Sequence, residues 1–211
     1  MLSVRLFSYS GDNKVAGSVV DHTKLPEDFP THSHDGEFWE RLGRSVATFG
    51  FLEDTLAKAI FAFTATTEYK TEDIDKAFSD WIPKLERSLS DPLGGLIDTY
   101  GKAVRSHSDC TINNFDLLIE DMRKASKQRN VLCHGSWGVP DSNGASIPFF
   151  INKQKEKFET PININFLIQV QKHTCDLICS VINTVTHMGW QFPGSNGPGK
   201  VILKSASVIK A

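Results

Sequence analysis

Phe38, Leu42, Val46, Phe49, Leu56, Ile60 and Phe63 recur at spacings of three or four, or multiples of these. That repeat puts them on one stripe and predicts a long first helix over about 36–66. A second helical stretch is predicted from Thr71, a residue suited to an N-cap and followed by Glu72 and Asp73, to about Ser90. Pro83 should kink or split it. Asp91-Pro92 reads as a cap with Pro at the first helical position, opening a short third helix to about Ser106 that Gly94, Gly95 and Gly101 weaken. A fourth helix, capped by Asn113 or Asn114, carries Phe115, Leu118, Ile119, Met122 and Ala125 on its inner face. It runs to about His134, with Gly135 as the residue that ends it.

The pattern then changes. Trp137-Gly-Val-Pro, Asp141-Ser-Asn-Gly144 and the run Ile147 to Ile151 predict a β-hairpin turning around Asn143-Gly144. Lys153, Lys155 and Lys157 follow. Thr160-Pro161 opens a last long helix to about Met188, with Phe166, Ile168, Val170, Leu177, Ile178, Val181, Ile182 and Val185 apolar. Residues 1–34 read as an irregular arm with one short strand, Val15 to Val20, and residues 191–211 as a flexible C-terminal tail. The expected fold is all-α: an antiparallel four- to five-helix bundle over 35–190, with a small β-hairpin insert at about 136–158 before the last helix.

Composition narrows the function classes. A chain of 211 residues, 40% hydrophobic, suits one domain with a real core and excludes wholesale disorder. Its 23 Lys+Arg stand against 25 Asp+Glu, a formal net charge of −2. That balance excludes a protein that coats nucleic acid by bulk positive charge and leaves room for a local basic cleft. The 4 cysteines include no C-x-x-C pair and read as reduced core thiols, not as a disulfide scaffold or zinc site. Met1 to Ser10 does not read as a signal peptide, and no apolar run approaches membrane-spanning length. A cytoplasmic chain without membrane contact is the expectation.

One segment offers chemistry: Gln128-Arg129-Asn130-Val131-Leu132-Cys133-His134-Gly135. An Arg with a His after four to six intervening residues is unremarkable by itself, since this composition gives about 0.7 such pairs by chance. Context adds to it. Arg129 continues the inner stripe of Met122 and Ala125, where a guanidinium is costly unless paired. Glu53 stands on the inner stripe of the first helix, among Phe49, Leu56 and Ile60, where an apolar residue is expected. Two opposite charges misplaced onto facing stripes predict a Glu53–Arg129 pair. His134 falls about 7.5 Å along the axis from Arg129 and about 140° around it, so it must act from the helix terminus.

Arg129-Asn130-x-x-x-His134, late in a helical bundle, resembles the R-x4–6-H motif of the HEPN superfamily. The Gly after the His and the Phe-Leu-Glu-Asp segment in a long first helix are similar too. The resemblance spans residues 36–188 in helix order and is sharp over about eight residues; the hairpin departs from the simplest bundle. It implies a metal-independent endoribonuclease without cofactor, of the kind found in toxin–antitoxin and defence systems, working as a homodimer on RNA, with an antitoxin protein as a further partner. Such cleavage uses the ribose 2′-OH as nucleophile. It needs a base, an acid, and positive charge on the phosphorane. His134 suits proton transfer, Arg129 is a fixed cationic fork for phosphate oxygens, and the Asn130 amide can orient either one. One motif offers a single His, too few for both proton roles, and the two-fold dimer that the resemblance implies brings two into one cleft. Glu53 is the supporting residue.

Arg123, Lys124 and Lys127, with Lys153, Lys155 and Lys157, are candidates for an RNA-binding rim. The alternative is a non-catalytic HEPN-like module that binds a partner protein or a nucleotide, with Arg129 tied structurally to Glu53 and His134 merely capping its helix. The pair His32-x-His34 in the arm reads as a weak metal-like spacing and not as a site.

Overall fold

The computed structural model describes residues 4–6, 18–88, 90–108 and 110–202. The protein is mainly helical. Two three-residue strands, β1 (Val4–Leu6) and β2 (Ser18–Val20), pair antiparallel in the arm. Val15 to Gly17, the start of the expected strand, lie outside the described residues. Among the described residues five α-helices follow: α1 (Gly36–Ala65), α2 (Ile74–Ser88), α3 (Leu93–Ser106), α4 (Phe115–His134) and α5 (Ile164–His187).

The stripe on α1 is the spine of the core. Phe38, Leu42, Phe49, Leu56, Ile60 and Phe63 are buried, joined by Leu52 and Ala59; Val46 is half-buried. Asp35 starts the helix, its Oδ1 accepting from Phe38 N at 2.8 Å. α5 lies along α1. Ser45 Oγ donates to Leu167 O near the start of both helices. Near their other ends, Tyr100 of α3 packs on Phe63 and bonds Thr184 of α5. The two longest helices therefore run side by side in the same direction. α4 runs the other way: its Phe115 packs on Tyr100, while Arg129, four turns later, meets Glu53 halfway along α1.

Helix ends differ from the sequence expectation where caps compete. Thr71 does not cap α2. A short 3-10 turn, Thr71–Asp73, leads into a helix that continues through Pro83 without splitting. Pro92, not Asp91, is the cap residue of α3, and no side chain bonds the helix end. Asn114 precedes α4 in a left-handed conformation, again without a side-chain bond. α5 begins three residues later than Thr160-Pro161 suggests, because Ile162 is held extended by paired backbone bonds with Ser146; Asn163 then caps the helix through Phe166 N.

The stretch 136–162 holds single bridges, not a continuous two-stranded ladder. Ser136 pairs with Phe149, Ser146 with Ile162, and Ile151 with Lys157. Chain reversal at Asp141–Ala145 falls where Asn143-Gly144 predicts it, with Gly144 at φ +70°. A second reversal at Asn152–Glu156, closed by both side-chain groups of Asn152 on Glu156, was not expected. The expected flexible tail is anchored as far as it is described. Phe192 is buried, Trp190 and Ile202 pack on the core, and Trp190 bridges to Lys200. Residues 203–211 lie outside the described residues.

Three of the four cysteines are not core thiols, whereas Cys110 packs against the core. Cys133, Cys175 and Cys179 are exposed and Cys110 is half-buried, because 175 and 179 fall on the outward face of α5. Among the described residues no helix is long and apolar enough to cross a membrane.

Candidate functional site

Met122 and Ala125 fix the inner face of α4 in the core, and the next residue on that side is Arg129. Its Nη2 lies 3.4 Å from Glu53 Oε1 of α1, with the two side chains 26% and 27% exposed. The pair is therefore partly open to solvent and not sealed inside. Glu53 Oε1 itself is shut off from solvent and has no well-aligned hydrogen bond, so the contact is an ion pair of loose geometry. Asn130 Oδ1 accepts from Arg129 Nη1, also at 3.4 Å. The guanidinium is thus held from two sides by one carboxylate and one amide, and the Asn130 oxygen faces Arg129, not His134.

His134 is the last residue of α4. Its side chain is exposed and makes no hydrogen bond or ion pair with any described residue. One protomer brings Glu53, Arg129 and Asn130 together and leaves His134 outside that contact set. Gly135 follows as cap residue at φ −71°, an ordinary conformation, with its N–H on Val131 O at 2.8 Å. Glycine is required there by close approach and not by a left-handed turn. A Cβ would stand 2.6 Å from Val131 O and 2.8 Å from Pro148 Cβ. The 136–162 segment is in this way pressed onto the end of α4.

The six basic rim residues divide into two sets. Arg123 is paired with Asp98 at 2.8 Å, and Lys124 with Glu120 at 3.0 Å and Asp121 at 3.2 Å. Hydrogen bonds to those two carboxylates hold the Lys124 ammonium above the usual lysine range. Lys127, Lys153, Lys155 and Lys157 are exposed and form no ion pair with described residues. Surface pairs of the first kind are worth about 0–1 kcal/mol, so a phosphate can displace them.

His34, which the spacing pairs only weakly with His32, is part of a packed cluster instead. It is buried, its ring stacks on Phe38 with centroids 3.8 Å apart, and the edges of Trp39 and Trp137 close around it. Its Nε2 is 2.9 Å from Ser146 Oγ. Burial pushes the imidazole below its ordinary range, with Asp35 and the Gly138 backbone opposing. The signal was present: His34 directly precedes the cap Asp35, where a residue commonly packs back on the first turn. A cavity of about 140 Å³ beside it is lined by His34, Phe38, Asn143, Asn163 and Asn165. A wider groove of about 520 Å³ follows Arg105, Cys110, Ile112 and Phe115. Neither takes in Arg129 or His134. Among the described residues no cluster of three or more His, Cys, Asp or Glu is placed to hold a metal ion.

No family model matches the chain, and neither a curated protein nor a solved structure matches it.

Proposed function

We propose that the chain is a HEPN-like, metal-independent endoribonuclease built as a helical bundle with a hairpin-like insert, and that two copies complete its site. The observation that carries the proposal is the held Arg129. A partly exposed guanidinium fixed by Glu53 and Asn130, on the same helix as an exposed His134 with no partner among the described residues, suits a phosphate-binding cation and a proton-transfer group. Arg129 holds the scissile phosphate and stabilises the phosphorane. One His134 takes the 2′-OH proton, the 2′-oxygen attacks phosphorus, and the His134 of a second copy protonates the leaving 5′-oxygen. The products end in a 2′,3′-cyclic phosphate and a 5′-OH. A toxin or defence role, with an antitoxin as partner, accompanies this reading.

The test is incubation of the purified chain with RNA in EDTA, followed by analysis of the product ends. Cyclic phosphate ends are expected, with His134→Ala lowering the rate about 10²- to 10⁴-fold. RNA left intact across a concentration range that includes the dimer refutes the nuclease. The Glu53–Arg129 contact would then support the non-catalytic interaction or nucleotide-binding module.

A further inference from the structure

Residues 146–151 alternate strictly in burial. Ser146 and Pro148 are buried and Phe150 packs on the core, whereas Ile147, Phe149 and Ile151 are 47%, 61% and 51% exposed. Side chains along an extended chain point alternately to opposite faces, so the three exposed apolar groups share one face. Antiparallel partners carry their side chains on the same side, with Cβ atoms about 5 Å apart. The bridge Ser136–Phe149 sets Ser136 beside Phe149, and the bridge Ile151–Lys157 sets Lys157 beside Ile151. Ser136 is two residues beyond His134, at most about 7 Å of chain. The outward face therefore starts near His134, passes an unstacked aromatic ring, and ends at a lysine.

We infer that this face is a platform for single-stranded RNA, with Phe149 stacking on a base and Lys157, helped by Lys153 and Lys155, holding the backbone phosphates. The argument rests on charge and ring together. The three lysines form no ion pair with described residues, and of the two nearby acids Glu156 is tied into the turn by Asn152, leaving Glu159. An exposed aromatic ring beside unpaired cations is what unspecific single-strand binding uses. Trp137 does not serve, because its ring belongs to the cluster around His34. This inference deepens the ribonuclease reading by naming how the substrate is held and that it is unpaired.

The experiment separates the two. Fluorescence anisotropy with a fully 2′-O-methylated, unstructured oligonucleotide reads binding without cleavage, since no 2′-OH nucleophile is present. The wild-type chain is expected to bind it more tightly than the matching duplex. Phe149→Ala should weaken binding about tenfold, Phe149→Trp should retain it, and Lys157→Ala should lower the salt dependence by about one phosphate contact. Binding unchanged in Phe149→Ala, no binding by the wild type, or a Phe149→Ala chain that changes only its oligomeric state in sedimentation each overturns the platform. The last of these assigns the face to a second copy of the chain. Intact binding with no cleavage of ordinary RNA refutes the nuclease alone.

Discussion

The Arg129 guanidinium stands 3.4 Å from the Glu53 carboxylate, joining the last turns of α4 to the middle of α1. Both groups sit on stripes whose other members are buried hydrocarbon, so each is the other's reason for being tolerated there. The exposure of about a quarter on each side keeps the pair in contact with solvent, which limits its strength and leaves the guanidinium reachable.

Removing one partner should therefore cost more than the pair contributes. Glu53→Ala is expected to destabilise the fold by about 1–3 kcal/mol, because a half-buried guanidinium loses its carboxylate. In a double-mutant cycle with Arg129→Met, the coupling should be about 1 kcal/mol. Urea unfolding of the four proteins measures it. A coupling indistinguishable from zero removes the pair as a determinant of where Arg129 sits.

Gly135→Ala tests how the end of α4 is positioned. Val131 O and Pro148 leave no room for a methyl group, and the first of these is backbone that cannot rotate away. The variant should lose about 1–3 kcal/mol of stability as the 136–162 segment is pushed off the helix end. His134 should move with it, so any RNA cleavage falls further than the stability loss explains. A Gly135→Ala chain with wild-type unfolding midpoint shows that the contact relaxes at no cost.

Much of this was legible from residue spacing, and what escaped has a physical cause. The α1 stripe was readable because burial of one helix face imposes a 3.6-residue period on thirty residues. The facing of Glu53 and Arg129 was readable for the converse reason: a charge inside such a period demands a partner. Thr71, Asp91 and Thr160 misled because caps are decided by one or two local bonds that tertiary packing overrides. The burial of Phe192 depends on contacts with residues far away in sequence, which a Gly- and Pro-rich composition hides. His34 was undervalued because its partners, Trp137 and Ser146, arrive from more than a hundred positions away. Whether two His134 side chains meet is a property of two chains, and no single sequence carries it.

Tyr100 ties α3 to α5. Its hydroxyl is 2.8 Å from Thr184 Oγ1, and Thr184 already donates to Val181 O, so the tyrosine is the donor. Burial pushes its phenol well above the ordinary range, and the group stays protonated throughout the stable pH range. Tyr100→Phe keeps the ring packed on Phe63 and Phe115 and loses one buried bond, about 1 kcal/mol. Denaturant unfolding with an unchanged m-value and a lower midpoint is the expected result. An unchanged midpoint means the Thr184–Val181 bond alone satisfies the site.

His34 gives the fold a pH dependence of predictable sign. Its imidazole is held below the ordinary value by burial, so the folded chain takes up its proton at lower pH than the unfolded chain does. Above about pH 6.5 both states carry neutral His34 and the contribution is level. As pH falls through that value the unfolded chain binds the proton first, and stability falls with it. Protonation in the folded chain would put a cation against Phe38, Trp39 and Trp137 with Asp35 as the nearby counter-charge, and would leave Ser146 Oγ as the only acceptor at Nε2. His34→Gln removes the titration and can keep a bond to Ser146. Thermal unfolding at pH 7.5, 6 and 5 should show the wild type losing more stability on acidification than His34→Gln. Because the other six histidines are common to both chains, the difference belongs to this site. Parallel curves for the two proteins refute it.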